Sequence, residues 1–133
     1  MYFNPKKLNK LNEALDNLKR VKLGMYPTPL HDVKNICKIL NGPRILFIRE
    51  DLSGLAFGGN KTRMFEYSLA KAIDSNCDCV IAGSAVQSNY CRQLYTACAK
   101  YGLKLYLILR PVRGKDDFIK QGNVLLDYLV ELM

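Results

Sequence analysis

The stretch CVIAGSAVQSNYCRQLYTACAKYGLKLYLIL, residues 79–109, decides the fold class. Its two ends, 79–82 and 103–109, are short and nearly all apolar, which is typical of strands in a parallel sheet that is covered on both faces. Between them, residues 88–101 repeat their apolar side chains at helical spacing. A strand, a helix and a second strand in this order predict two parallel strands joined by a right-handed crossover.

Further elements are predicted on either side of this unit. They are helices over 5–19, 30–40, 61–76 and 123–132, and a strand over 44–49. We therefore predict an α/β fold with a parallel sheet flanked by helices on both faces. Ligands of such sheets bind beyond the carboxyl ends of the strands, and the turns at 58–63 and 84–89 are expected at that position.

Length and composition indicate one globular unit, since the chain has 133 residues of which 49% are hydrophobic. No apolar run approaches the roughly 18 residues that a membrane span needs. The amino terminus, Met1 to Lys7, lacks the apolar region of a signal peptide. We expect a cytoplasmic protein that makes no contact with a membrane.

The five cysteines are expected to be reduced thiols, because their number is odd and no secretory signal is present. Cys77 and Cys79 are separated by a single residue, and the only histidine, His31, is distant in sequence. This set does not match a zinc site, so no metal is predicted. We expect small buried hydrophobic side chains at Cys37, Cys77, Cys79, Cys91 and Cys98.

Positive charge is concentrated in the first third of the chain, where residues 1–49 carry +7 of the net +8. Basic residues there alternate with leucines at helical spacing, namely Leu8, Leu11, Leu15 and Leu18. A solvated helix face explains this pattern, and no nucleic-acid-binding motif accompanies the charge. We therefore expect no nucleic-acid partner; a basic nucleic-acid binder is the third-ranked alternative.

Lys61 follows Gly58-Gly59-Asn60 and opens a predicted helix. The positive end of the helix dipole disfavours an ammonium at that place. Only a neutral amine attacks a carbonyl carbon, so the placement favours imine chemistry. The spacing does not fit the phosphate-loop pattern, in which four residues separate the first glycine from the Gly-Lys pair. An exposed lysine after a turn is the alternative that spacing leaves open.

A second group of polar residues, Gln87-Ser88-Asn89, precedes the helix predicted over 88–101. Ser88 is a suitable N-cap, and its hydroxyl together with the first helical amides forms an anion site suited to a carboxylate. Amino acids carry such a carboxylate. The alternative is that Ser88 only caps the helix.

Four ordered motifs carry a family resemblance. They are Glu50 to Gly54, Gly58 to Arg63, Gln87 to Gln93 and Gly122 to Asp127. In this order and spacing they resemble the D-cysteine desulfhydrase and 1-aminocyclopropane-1-carboxylate deaminase family. That family belongs to the tryptophan-synthase β-like, fold type II, pyridoxal-phosphate enzymes, which are usually homodimers of subunits with a small and a large domain.

The resemblance implies a role for each site residue. Lys61 matches the lysine that holds pyridoxal 5'-phosphate and later moves the substrate's α-proton, and Asn89 matches the asparagine that hydrogen-bonds the cofactor's phenolic oxygen. Ser88 matches the serine that binds the substrate carboxylate or assists proton transfer. Gln87 and Asn60 match positions that shape the pocket, on the substrate side and the cofactor side respectively.

Two departures from the family pattern concern Tyr90, where histidine or glutamine is common, and Ser84, where glycine is common. These departures do not affect the prediction of pyridoxal phosphate as cofactor, but they weaken any statement about the substrate. The family also continues into a glycine-rich phosphate loop that these residues lack. Residues 1–50 would begin the large domain and 51–133 would form an incomplete small domain. We expect the isolated chain to bind the cofactor poorly.

The resemblance implies a lyase or deaminase of a small amino acid. β-Elimination from D-cysteine, giving a 2-oxo acid, ammonia and sulfide, is the first choice, and 1-aminocyclopropane-1-carboxylate deaminase is the second. The alternative from another class is a truncated, catalytically inactive α/β fragment that acts by binding another chain. The apolar ending of the chain at Met133, without a polar tail, suggests a continuation.

Overall fold

The computed structural model describes residues 4–112 and 114–131. Its helices are α1 (Pro5–Asp16), α2 (Lys34–Leu40), α3 (Lys61–Asp74), α4 (Asn89–Lys100) and α5 (Gly122–Glu131). Its strands are β1 (Leu30–Asp32), β2 (Leu46–Ile48), β3 (Cys79–Ala85) and β4 (Lys104–Arg110). The predicted ends Leu132 and Met133 lie outside the described residues. No helix among these is long and apolar enough to span a membrane.

The strand–helix–strand unit predicted from residues 79–109 is present. Strands β3 and β4 pair in parallel, with Cys79 opposite Lys104 and Ala85 opposite Arg110, and α4 connects them. Leu94, Ala97 and Cys98 line one side of α4 at helical spacing and are buried in a core cluster. Partly buried side chains of both strands pack against that cluster, so the α/β class is confirmed.

Helix α3 packs against α4 and completes the core. Phe65 and Leu69, one turn apart on α3, are 1% and 2% exposed. The ring of Phe65 meets that of Tyr90 edge to face, with 5.0 Å between the ring centres. This contact brings the amino-terminal half of α3 beside the start of α4, and both of those helix starts carry predicted site residues.

Two sequence-based expectations about the sheets are wrong for the described residues. Helices cover only one face of β3 and β4, because Ile81, Tyr106 and Ile108 on the opposite face are 69%, 56% and 59% exposed. The helix predicted over 30–40 begins only at Lys34, since residues 30–32 form a short strand antiparallel to β2. Helical periodicity cannot reveal such a strand, because it depends on a partner at residues 46–48.

The cysteines divide into two groups. All five are free, as predicted, and Cys91 and Cys98 are buried. Burial raises the pKa of the Cys98 thiol to about 11, so it is protonated at neutral pH and behaves as a small apolar group. Cys77 is exposed, which corrects the prediction that every thiol is buried, and Cys37 and Cys79 are partly buried.

Helix α1 agrees with its prediction in its start and in its solvation. Pro5 stands in its first turn, and the side chain of Asn4 accepts hydrogen bonds from the amides of Lys6 and Lys7. The helix ends at Asp16, earlier than the predicted Lys19, and contains no buried residue.

Candidate functional site

The turn before Lys61 is held by close backbone packing. Gly58 has φ +75°, and a methyl group added to it would stand 1.8 Å from the carbonyl oxygen of Asp51. The amide of Gly59 donates to the carbonyl oxygen of Glu50 at 2.8 Å, and the Ser53 hydroxyl donates to the carbonyl of Gly59 at 3.2 Å. Only glycine fits at position 58 so close to the Asp51 backbone, and the conformation of the loop before α3 is therefore fixed.

Helix α3 then starts with three side chains that have different surroundings. Lys61 is partly buried, and among the described residues no hydrogen bond or ion pair engages its Nζ. Thr62 is fully buried and faces α4. Arg63 is exposed and donates two hydrogen bonds to the Glu50 carboxylate, at 2.8 and 2.9 Å. Lys61 is thus followed directly by two residues whose side chains are held by hydrogen bonds.

The Arg63 anchor extends to the segment before β1. The Thr28 hydroxyl donates to Oε1 of Glu50 at 2.8 Å, and the Arg63 guanidinium lies 4.1 Å from the centre of the Tyr26 ring. The hydrogen bond from Arg63 lowers the pKa of Glu50, so this carboxylate is ionised at neutral pH. These contacts fix the outer side of the first turn of α3 to the Tyr26–Thr28 segment.

Helix α4 starts with Ser88 as its N-cap. Ser88 has an extended backbone (φ −77°, ψ 131°), and its Oγ accepts a hydrogen bond from the amide of Tyr90 at 3.2 Å. Because the hydroxyl only accepts in this contact, its own proton is still available for donation. Asn89 is the first helical residue and is partly buried.

The two helix starts meet through Gly59, Asn89 and Gln93. A methyl group at Gly59 would stand 2.3 Å from Nε2 of Gln93 and 3.1 Å from Nδ2 of Asn89. The Oε1 atom of Gln93 accepts from both the amide and the hydroxyl of Thr62, at 3.1 and 2.9 Å. The structure therefore brings Lys61's loop and Asn89's helix turn into direct contact.

Gln87 lies on the opposite side of the same turn, against α5. Its Nε2 donates to the carbonyl of Gln121 at 3.1 Å, and its Oε1 accepts from the amide of Asn123 at 3.1 Å. Its backbone carbonyl accepts from Nδ2 of Asn123 at 2.9 Å. Gln87 thus links the β3–α4 turn to the start of α5, and its side-chain amide points there rather than toward Gly59.

Arg92 joins α5 to the glycine turn. Its Nε donates to Oδ1 of Asn123 at 3.0 Å, and its NH2 group reaches the carbonyl of Gly58 at 3.5 Å. The side chain is only 9% exposed, and this burial lowers the pKa of Arg92. Sequence reasoning did not assign this residue a role.

The predicted site residues therefore fall into three groups. Lys61, Ser88 and Asn89 lie at adjoining helix starts, Gln87 faces α5, and Asn60 is an exposed residue directly before α3. The predicted turn at 84–89 lies at the carboxyl end of β3, as expected, although Ser84 and Ala85 still belong to the strand. The turn at 58–63 follows no strand of the parallel sheet in sequence, but Gly59 lies against the start of α4, beyond the carboxyl end of β3, as expected. Gln93 was missed, although it stands one helical turn after Asn89 on the same face.

Replacing Ser88 by alanine is expected to lower the free energy of unfolding by about 1 kcal/mol, because the amide of Tyr90 loses its capping acceptor. Ser88→Thr keeps that acceptor and should lose only a fraction of this amount. Urea denaturation of the three proteins checks the prediction. Equal losses in both variants would contradict a capping role.

Comparison with protein-family models places the chain among known proteins. A family model described as pyridoxal-phosphate dependent enzyme matches residues 21–121. Among solved structures, an ACC deaminase homologue is similar with a TM-score of 0.80 and 35% identity, over 96% of this chain and 36% of that chain.

Curated relatives have similar names. A putative 1-aminocyclopropane-1-carboxylate deaminase of Pyrococcus furiosus is 38% identical over 91% of this chain and 35% of its own length. A 1-aminocyclopropane-1-carboxylate deaminase of Bradyrhizobium diazoefficiens is 35% identical over 87% of this chain and 36% of its own. A mitochondrial bifunctional D-cysteine desulfhydrase/1-aminocyclopropane-1-carboxylate deaminase of Arabidopsis thaliana is 36% identical over 81% and 27% respectively. The chain thus spans about a third of these relatives.

Proposed function

We propose, from the premise that this chain belongs to the pyridoxal-phosphate dependent enzyme family, that its protein is a lyase or deaminase of a small amino acid. The observation that carries the proposal is the contact between the two helix starts, where Gly59, two residues before Lys61, lies against the carboxamides of Asn89 and Gln93. First in order is D-cysteine, which with water gives pyruvate, hydrogen sulfide and ammonia. The names of the relatives favour a second substrate, 1-aminocyclopropane-1-carboxylate.

The residues present fit the cofactor of this family on the side that they form. Lys61 supplies an amine that no described residue engages, and no hydrogen bond to a described residue occupies the Asn89 carboxamide. Because Gly59 has no side chain, the backbone that leads into Lys61 approaches the Asn89 carboxamide closely. A lysine amine and a nearby carboxamide suit an aldehyde-bearing aromatic ring with a phenolic oxygen.

In this proposal each residue has one task. Lys61 would hold the cofactor through its amine and carry the substrate's α-proton on Nζ. Asn89 would orient the ring by hydrogen bonding, and Asn60 would border it. The Ser88 hydroxyl and the first amides of α4 would bind the substrate carboxylate, with Gln87 shaping that side. Pyridoxal phosphate, when bound, supplies an electron sink for the charge that develops at the α-carbon.

Cofactor binding is tested by adding pyridoxal phosphate to the natural protein and recording its visible absorption. We expect the visible absorption band of the lysine-bound cofactor to appear. Lys61→Ala should abolish this band, and Lys71→Ala should retain it, since Lys71 is an exposed lysine farther along the same helix. A band of equal strength in Lys61→Ala would refute the assignment. If the natural protein itself shows no band, the chain is instead an inactive α/β module.

Substrate choice is tested by measuring ammonia and sulfide release from the loaded protein. D-cysteine should yield both products together with pyruvate, whereas 1-aminocyclopropane-1-carboxylate should yield ammonia and a four-carbon 2-oxo acid without sulfide. L-cysteine serves as the stereochemical control. If neither D-cysteine nor 1-aminocyclopropane-1-carboxylate releases ammonia, both substrates are removed from the proposal.

The domain division, assembly and location are parts of the same proposal. Residues 1–50 begin a large domain and residues 51–133 form part of a small one, which is supported by the separate sheets β1–β2 and β3–β4. The natural protein is a cytoplasmic homodimer. Light scattering on the natural protein checks the assembly state.

A further inference from the structure

Gln93 is the side chain that connects the two helix starts of the proposed site. It is 0% exposed, and its carboxamide oxygen accepts from both polar groups of Thr62, the residue directly after Lys61. Its nitrogen donates to the carbonyl of Asn89 at 3.1 Å. One carboxamide therefore bonds to the first turn of α3 and to the first turn of α4.

The glycine turn closes against the same side chain. Nε2 of Gln93 lies so near Gly59 that a methyl group there would approach it to 2.3 Å. Gly59 is also bonded to Ser53 and Glu50, so the loop cannot shift away without breaking those hydrogen bonds. Gln93 is consequently in contact with the residue two positions before Lys61 and with the residue one position after it.

We propose that Gln93 is a positioning residue, which fixes the Lys61 amine relative to the Asn89 carboxamide and touches neither cofactor nor substrate. The inference rests on the proposed function. A buried carboxamide whose oxygen accepts and whose nitrogen donates hydrogen bonds has one stable orientation. It therefore sets both the distance and the angle between the first turns of α3 and α4. An apolar side chain of the same size would fill the space without specifying either.

The test measures where pyridoxal phosphate attaches to the natural protein, not turnover. Protein is mixed with a limiting amount of pyridoxal phosphate, borohydride makes the attachment of its aldehyde to lysine amines permanent, and peptide mass mapping locates the label. In Gln93→Met, which keeps the volume and removes the hydrogen bonds, we expect the label at Lys61 to fall roughly tenfold or more. The remaining label should move to exposed lysines.

The control is Leu94→Ala, at the neighbouring position on α4. The side chain of Leu94 is 2% exposed in the core, and as an apolar group it takes no part in the hydrogen bonds of the glycine turn. It destabilises the same helix and should keep the label at Lys61. An unchanged label in Gln93→Met, or an equal loss in Leu94→Ala, overturns the positioning role. Absence of label at Lys61 in the unaltered protein overturns the proposed function instead.

A second variant decides the matter if Gln93→Met does not fold. Gln93→Glu keeps the two acceptor contacts with Thr62 and replaces the donor facing the Asn89 carbonyl. Its label at Lys61 should be clearly lower than that of the unaltered protein. A label equal to that of the unaltered protein would show that the bond to Asn89 positions nothing.

Discussion

Gly58→Ala is expected to lower the free energy of unfolding of the natural protein by about 3 kcal/mol or more. The added methyl group would stand 1.8 Å from the carbonyl oxygen of Asp51 and 2.4 Å from its carbonyl carbon. Both are backbone atoms, so no flexible side chain can move to relieve the contact. The left-handed φ of +75° adds a further penalty of about 1–2 kcal/mol for any residue with a Cβ atom.

Gly102→Ala is a matched control for this prediction. Gly102 has a similar φ of +69°, and a methyl group there would meet nothing within 4 Å. It therefore carries only the conformational penalty, about 1–2 kcal/mol. Urea denaturation of both variants separates the two contributions. Equal losses would show that the approach to Asp51 has no energetic weight.

Glu66→Ala is the second substitution with a large expected effect. Glu66 is 1% exposed, and its Oε1 accepts from the amides of Leu23 and Gly24 at 2.8 and 2.9 Å. Its other oxygen pairs with Arg20, and this hydrogen bond raises the pKa of the guanidinium. Alanine would leave two buried amides without acceptors, at about 1–3 kcal/mol each. We expect a total loss of about 3–5 kcal/mol.

Lys19→Ala provides the comparison for Glu66. Lys19 pairs with Asp74 of the same helix α3, but the two side chains are 71% and 52% exposed. Solvent-exposed ion pairs contribute about 0–1 kcal/mol, so this variant should denature almost like the unaltered protein. A loss in Glu66→Ala no greater than that in Lys19→Ala would mean that the two amides find other partners. Thermal unfolding followed by circular dichroism gives both values.

Sequence patterns predicted the parts of the fold that depend on local periodicity. The strands predicted at 79–82 and 103–109 and the intervening helix follow from their apolar spacing, and the structure has those strands at 79–85 and 104–110. Ser88 was recognised as a cap from its residue type. The start of α3 at Lys61 follows from the glycines before it. These features are set by neighbours within one or two turns of the chain, so a single sequence contains the information.

Features that depend on distant partners could not be predicted. Strand β1 has only three residues and exists because residues 46–48 pair with it. The Thr62–Gln93 contact joins residues 31 positions apart, and the polar residue type alone did not distinguish a buried connector from an exposed glutamine. The open face around Ile81 was missed because apolar strand residues predict burial without saying what covers them.

The bonds from Gln93 to Thr62 and Asn89 have a consequence for protein engineering. The loop at residues 58–63 and the first turn of α4 cannot be grafted separately into another scaffold, because Gln93 forms hydrogen bonds to both Thr62 and Asn89. Gln93 also leaves no room for a side chain at Gly59. A transplant that carries only residues 58–63 would bring the Lys61 amine without the side chain that we propose positions it. The smallest unit that can be moved is the pair of turns.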